Sequence, residues 1–486
     1  MSKLIWKIAQ KVTVDYCRLS VVKSQDGFLA QDVVRNLLSQ ELGVEVILGS
    51  QLRQRIHFEL QYKQNDGRRF LYVCHDTDGL LPDMRQEAYV TAFSIADVFP
   101  LFADKSLLRR QPFVVLEMLY DGFGSRRVSL AEAPTIVSNM SQLIEVQRKQ
   151  SADYLRSLVA GLVVDWNKPY EAAHGLSSLM LQCLRAGVLD EVQPSFDRFN
   201  QSFQEWIDAN YFATLVSSPL LKARSVNKIL PHIGSKHGND EKVALVVVDG
   251  FSYWQYTILA QCLERLGFHR EEDATLAWLP SITMLSRQAI FRGDMPRQDY
   301  RQSPDNEKCL WNGYWLQQGI GSYEIQYIGD ADTFCIDANV KRLAVVTVEM
   351  DEKMHSSADY HDLCSLTENW CPKIVQKIKA MLDLGFVVYL TSDHGSVLSE
   401  GWRPLSQAEK VFLYRDGSRG ARHLIYNNAK EQEDFLNTNA AVGLLKHDNW
   451  LCMRGSRCFA RENTRMITHG GSHWMELVVP LVKITR

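Results

Sequence analysis

The sequence predicts an α/β protein. A mostly parallel sheet sandwiched by helices fills the C-terminal half, behind a small α/β domain and a helical subdomain. Three observations predict it. The run VALVVVDG at 243–250 is continuous, mostly β-branched and without helical period, so it reads as a buried central strand that delivers Asp249 to its carboxyl end. Three later stretches repeat the pattern of apolar strand followed by polar ligands: LAVVTVEMDEKMH at 343–355, FVVYLTSDHG at 386–395 and MITHGG at 466–471. Helical patterns of ten or more residues, as at 251–266 and 367–384, lie between strands, and that alternation argues for parallel pairing. As neighbours, these strands would bring Asp249, Asp351, His355, Asp393, His394 and His469 to one rim, where open α/β sheets place their chemistry.

Length and composition bound the rest. At 486 residues the chain suggests two or three domains on a scale of ~150 residues each. Lys+Arg number 54 against 57 Asp+Glu, a net charge of −3, so no global basic field advertises nucleic-acid binding and any anion site is local. The ten cysteines are scattered without a CxxC pair, which is reducing-compartment usage rather than a disulfide framework. Lys7, Gln10 and Lys11 interrupt the first apolar stretch, and LVAGLVV at 158–164 is far short of the ~20 residues that span a bilayer. The expectation is a cytoplasmic protein with no membrane partner.

In chain order, residues 1–150 mix strands and helices. KLIWKIAQKV is followed by a helix at FLAQDVVRNLLSQEL, a strand EVILGS, an alternating HFELQY, a turn at Asn65-Asp66-Gly67 and a strand RFLYVCHD. The turn signals a hairpin between HFELQY and RFLYVC. LLPDMRQEAYVTAFSIADVFPLF then reads as a loop and two helices. Residues 151–235 carry helical periods in ADYLRSLVAGLVV, AAHGLSSLMLQCLRAGVL and FNQSFQEWIDANYFATLVSS, a helical subdomain suited to spacing or to docking a partner. The polar GSKHGNDEK at 234–242 marks the boundary of a C-terminal domain at 240–486. Within it, TLAWLPSITMLSRQAIFRGDMP at 275–296 gives a short strand, Pro280 and a helix from Thr283 that Arg292-Gly293 ends. Residues 297–342, polar but bearing Tyr300, Trp311, Tyr314 and Trp315, read as an insertion that caps the site.

Sets of three or four carboxylate oxygens and imidazole nitrogens hold zinc and similar ions, and two-metal hydrolases place such ions ~3.5–4 Å apart. Asp351 and His355 are spaced as DxxxH, and Asp393 and His394 form the DH of TSDHGS. Thr283 is the candidate nucleophile, at a helix start where free N–H groups favour an anion. Taken singly, each is equally a turn former, a loop or an N-cap; together and in order they argue for a site. A threonine hydroxyl is a poor nucleophile at neutral pH, and with no GxSxG elbow or Ser/His/Asp triad in view, a metal is its better activator. Arg287, one turn after Thr283, falls on a face suited to phosphate oxygens or to a surface ion pair.

The order of Asp249, PSIT followed by SR, DxxxH, TSDHG, then HGG with Glu476 and Pro480 resembles the PglZ domain, a branch of the alkaline phosphatase superfamily, over about 240–486. The resemblance implies an alkaline-phosphatase-like fold and two zinc ions, with manganese as an alternative. Asp249, Asp393, His394 and the Thr283 oxygen would hold one, and Asp351, His355 and His469 the other. It further implies attack of Thr283 on phosphorus to give a phosphothreonine that water hydrolyses. Two departures from the pattern are Ser281 for the first threonine of PTxT, and His473 at the serine of HGGxSxxE, an added histidine read as substrate-binding. Trp311, Tyr314 and Trp315 would stack a base or pack the insertion onto the core, and RDGSRGARH at 415–423 would meet a phosphate backbone or form a solvated hairpin. The functional expectation is a zinc-dependent phosphodiesterase acting on nucleotides or nucleic acid, in a bacteriophage-exclusion complex with other defence-system proteins. A catalytically silent scaffold of such a complex and a phosphomonoesterase are the alternatives.

Overall fold

The structure, a computed structural model, describes residues 2–24, 26–50, 52–64, 67–75, 80–297, 299–330, 332–414 and 419–486. These form two units, Met1–Ser151 and Ala152–Arg486. In the first, β1 (Leu19–Lys23), β2 (Val44–Leu48), β3 (Arg69–Cys74) and β4 (Tyr89–Ala92) make a parallel sheet in the order β2-β3-β1-β4. KLIWKIAQKV forms the helix Lys3–Val12, whose start is capped by Ser2 and whose Leu4, Ile5, Ile8, Ala9 and Val12 are buried.

Two expectations in this unit are corrected. HFELQY is not a strand but part of the helix Leu52–Lys63, so no hairpin joins it to β3. Phe58 and Tyr62, four apart, are buried against Phe70 and Tyr72 of β3, while Leu60, which alternation would place with them, is 62% exposed. Helical spacing therefore wins over period two. Asn65 and Asp66 of the expected turn lie outside the described residues. The second predicted helix of LLPDMRQEAYVTAFSIADVFPLF is also absent as such. The chain makes the helix Pro82–Glu87, then Tyr89–Ala92 pairs with β1 as the edge strand β4, followed by a single 3-10 turn at Ile95–Asp97.

The second unit is organised on one six-stranded sheet. Its strands are β5 (Val243–Val248), β6 (His269–Leu276), β7 (Ile325–Ile328), β8 (Arg342–Thr347) and β9 (Val387–Ser392), with one more from the end of the chain. β10 (Val397–Gly401) leaves the sheet, β11 (His423–Ile425), β12 (Leu444–His447) and β13 (Trp450–Met453) form a small antiparallel sheet, and β14 (Arg457–Cys458) and β15 (Arg465–Thr468) pair with β10. β16 (Val478–Thr485) returns to complete the order β6-β16-β9-β5-β8-β7, in which β7, β8, β5 and β9 are parallel and β16 runs against both neighbours. All six residues of β5 are buried, as a strand covered on both faces requires. The helices Pro169–Arg185 and Leu189–Leu215 share one continuous apolar core with this sheet.

The MITHGG strand, expected among the neighbouring strands of the central sheet, is β15 and pairs antiparallel with β10 outside that sheet. The described residues of 297–342, expected as an insertion that caps the site, form a helix and a strand. The helix Pro304–Gln317 packs on the helix Thr283–Arg292, and β7 is the edge strand of the sheet. The cause is apolar spacing: Trp311 and Trp315, one turn apart, are each 1% exposed, with Trp311 against Phe291 and Trp315 beneath the Arg342 guanidinium.

Candidate metal centre

Register sets the first two candidate ligands. Val248 of β5 lies opposite Ser392 of β9, so Asp249 and Asp393 leave the sheet side by side. Gly250 follows with φ 69°, and a Cβ there would stand 3.2 Å from the Asp351 backbone and 3.3 Å from its carboxylate, so a side chain would crowd the cluster. The N–H groups of Gly250 and His394 both donate to Asp393 Oδ1, at 3.2 and 3.0 Å. Asp351 and His355 are not at a strand end, as expected, but on the helix Glu349–Ser356 after β8. Their spacing of four puts both on one helix face, with His355 Nε2 at 3.4 Å from Asp351 Oδ1.

The histidines are oriented from behind. His394 Nδ1 lies 3.0 Å from the Gly395 carbonyl and His469 Nδ1 3.0 Å from the Ser281 carbonyl. A carbonyl only accepts, so Nδ1 carries the proton in each and the Nε2 lone pair is left for the cluster. The two rings stack at 4.1 Å between centroids. Thr283, the first residue of its helix, places Oγ1 at 3.0 Å from His394 Nε2 and 3.3 Å from Asp249 Oδ1.

Two ligand groups result. Asp351, His355 and His469 offer atoms within 4.8 Å of one another, and so do Asp249, Asp351 and His394. Asp393 Oδ2 lies 3.9 Å from His394 Nε2. The donors fit a hard or borderline divalent cation in type, and their wiring fits too: Asp351 Oδ1, Asp393 Oδ2 and His355 Nε2 are buried without a hydrogen-bond partner. Burial pushes the Asp249 carboxyl well up, the adjacent Asp393 adds to this, and Arg287 opposes it. Burial also pushes Asp351 up, but His355, His394 and His469 around it prevail and hold it down to about 2. Burial, reinforced by His394, keeps the His469 imidazole neutral, well below its ordinary range.

Arg287, expected to face phosphate oxygens or an ion pair, is buried and ion-paired: it donates from Nη1 to Asp249 Oδ2 at 3.0 Å and from Nη2 to Glu307 Oε2 at 2.7 Å, bracing a candidate ligand. Glu307 was not anticipated. Its signal is faint but real: it lies four residues before Trp311 and eight before Trp315, a charge in register with a buried stripe. Of the substrate-contact candidates, the aromatic residues take the packing alternative. Trp311 and Trp315 belong to the core, and Tyr314 packs edge-on against Trp315 at 5.1 Å. His473 does not reach the cluster's ligand groups; its Nδ1 accepts from the Met475 N–H at 3.2 Å, capping the helix Trp474–Leu477, and burial keeps it neutral. Of the arginine-rich loop at 415–423, residues 415–418 lie outside the described residues and Arg422 is buried against Glu476.

The family model described as the BREX system PglZ alkaline phosphatase-like domain matches residues 227–484. No curated protein matches the chain. Among solved structures, the chain is similar to murine ectonucleotide pyrophosphatase/phosphodiesterase 5, with a TM-score of 0.36 and 11% identity over 50% of this chain and 88% of that one. It is likewise similar to phosphonoacetate hydrolase from Sinorhizobium meliloti 1021 in complex with phosphonoformate, with a TM-score of 0.36 and 11% identity over 50% of this chain and 89% of that one.

Proposed function

Because the chain belongs to the family of BREX system PglZ alkaline phosphatase-like domains, we propose that it is a phosphodiesterase of nucleotides or nucleic acid that acts in phage defence with Thr283 as its nucleophile. The observation that carries this reading is the position of Thr283 Oγ1, in reach of both His394 Nε2 and Asp249 Oδ1 at a helix start. Two divalent ions, zinc or manganese, bound by Asp249, Asp393, His394 and Thr283 and by Asp351, His355 and His469, would supply Lewis-acid charge neutralisation at the phosphoryl group. The chain's own residues do the rest. Asp249 Oδ1 and His394 Nε2, 3.3 and 3.0 Å from the Thr283 oxygen, fix where it lies. Thr283 Oγ, its proton passed to water, bonds to phosphorus as the ester oxygen opposite leaves and takes up a proton from water, giving a phosphothreonine that water cleaves to restore the hydroxyl. Free N–H groups at the start of the helix Thr283–Arg292 favour the anion bound there. Residues 1–150 and the helices of 151–235 would position the hydrolase domain, 240–486, among other defence-system proteins in the cytoplasm.

The test is hydrolysis of a chromogenic phosphodiester and its monoester with added zinc or manganese, comparing wild type with Thr283→Ala. Diester turnover lost in the variant supports the reading. Preferential monoester turnover makes the protein a phosphomonoesterase instead, and metal-loaded wild type with no turnover makes it a scaffold.

A further inference from the structure

Asp249 is used twice. Its Oδ2 accepts from Arg287 Nη1 at 3.0 Å, while its Oδ1 faces Thr283 Oγ1 at 3.3 Å and His394 Nε2 at 3.5 Å. What keeps the carboxylate divided lies further out. A guanidinium beside a carboxylate favours the two-point fork, which would take both oxygens of Asp249. Arg287 instead turns its Nε/Nη2 edge to Glu307: Nη2 donates to Oε2 at 2.7 Å and Nε stands 2.6 Å from Oε1 as an ion pair without hydrogen-bond geometry, with the Glu307 side chain fully buried. Glu307 is itself held by the Tyr327 hydroxyl, which donates to Oε2 at 2.6 Å, and by the Gln302 amide on Oε1.

We propose that Glu307, anchored by Tyr327, is a positioning residue: by occupying the fork of Arg287 it confines Arg287 to Oδ2 of Asp249 and reserves Oδ1 for a divalent cation shared with His394 and Thr283. The proposal rests on the metal reading above. Without the charge on Glu307, Arg287 has Asp249 as its remaining buried counter-ion and rotates to take both of its oxygens. The cost falls on the Asp249 group, while the group of Asp351, His355 and His469 has no contact with Arg287 or Glu307 among the hydrogen bonds and ion pairs of the described residues.

The experiment is zinc titration against a chromogenic chelator, with bound-metal stoichiometry, on the full chain as wild type, Glu307→Gln, Tyr327→Phe and Glu307→Gln/Arg287→Gln. Wild type is expected to bind two ions. In Glu307→Gln one ion keeps its affinity and the other weakens by about 10–100-fold, the range for outer partners of metal ligands. Tyr327→Phe, which keeps every charge, shifts the same ion by a smaller factor and carries the test if Glu307→Gln does not fold. The double variant, having lost the competing guanidinium, regains the affinity that Glu307→Gln loses, which a merely structural role for Glu307 would not produce. Unchanged affinities in the folded single variants, or a double variant as weak as Glu307→Gln, overturn the proposal alone. Wild type that binds no divalent ion overturns the metal reading and the proposal with it.

Discussion

Replacing Glu476 with glutamine is expected to cost a large part of the stability of the second unit. Glu476 and Arg422 are both fully buried, and Glu476 accepts from Arg422 Nε at 3.0 Å and from Arg422 Nη2 at 2.9 Å. It also takes the Gly471 N–H at 2.8 Å and the His473 N–H at 3.2 Å. Each carboxylate oxygen thus faces at least two donors. A glutamine turned either way sets its NH2 against a pair of them, and Arg422 is left buried with only neutral partners, the Ser399 hydroxyl and the carbonyls of Gly455 and Arg457. Removing one member of a buried pair costs about 3–5 kcal/mol, against a native stability of about 5–15 kcal/mol for a domain. The assay is urea unfolding followed by tryptophan fluorescence, which reads the second unit because only Trp6 of the eleven tryptophans lies in the first. In Glu476→Leu/Arg422→Met both charges are gone, so this variant should be more stable than Glu476→Gln. A loss under about 1 kcal/mol in Glu476→Gln, or a double variant that costs the sum of its single changes, would refute the reasoning.

Three further outcomes follow from the structure. The Glu409 carboxyl is held down to about 2, chiefly by Arg403 and then by the Ser406 N–H, below its unfolded value of about 4.3. Its contribution to stability is therefore complete above the unfolded value and lost as pH falls toward 2, so Glu409→Gln should flatten the acid limb of the unfolding profile. At Gly395 a Cβ would stand 2.0 Å from the Met475 carbonyl oxygen and 2.8 Å from Ser252 Oγ, so Gly395→Ala should lower the melting temperature by overpacking worth about 1–3 kcal/mol or more. Trp315→Ala should cost about 3–5 kcal/mol in urea unfolding, as an emptied core site does, whereas a base-stacking residue would leave stability unchanged.

What was legible in the sequence was whatever a single segment encodes. β5 shows itself because burial on both faces leaves no polar position, and the helix at Thr283 because a proline precedes it and Gly293, at φ 65°, ends it. The clustered residues Asp249, Asp351, His355, His394, His469 and Thr283 were found because each follows or precedes such a segment. HFELQY misled because Phe58 and Tyr62 satisfy a helical spacing and an alternating one alike, and six residues are too few to separate the two. The tryptophans of 297–342 misled for a related reason: polar neighbours suggested a surface insertion, while the spacing of Glu307, Trp311 and Trp315 marks one buried helix face. That spacing says where Glu307 lies and not that Arg287 meets it, which is a fact of two segments.

The two candidate ligand groups share Asp351 and are otherwise secured by different means. Asp249 and Asp393 leave the sheet side by side through the register of β5 with β9; Asp393 is held by the N–H groups of Gly250 and His394, and Asp249 by Arg287, which Glu307 holds in turn. His469 inherits nothing from the central sheet, because β15 pairs with β10 outside it. Its place depends on the Ser281 carbonyl, and the glycines after it are held by the Ser281 hydroxyl, which accepts from the Gly470 N–H, and by Glu476, which accepts from the Gly471 N–H. Glu476 is in turn fixed by Arg422. Damage to the Arg422–Glu476 pair therefore reaches the Asp351, His355 and His469 group first, and damage to Glu307 reaches the Asp249 group first. If the centre acts through two ions, variants of these two glutamates should lose different ones.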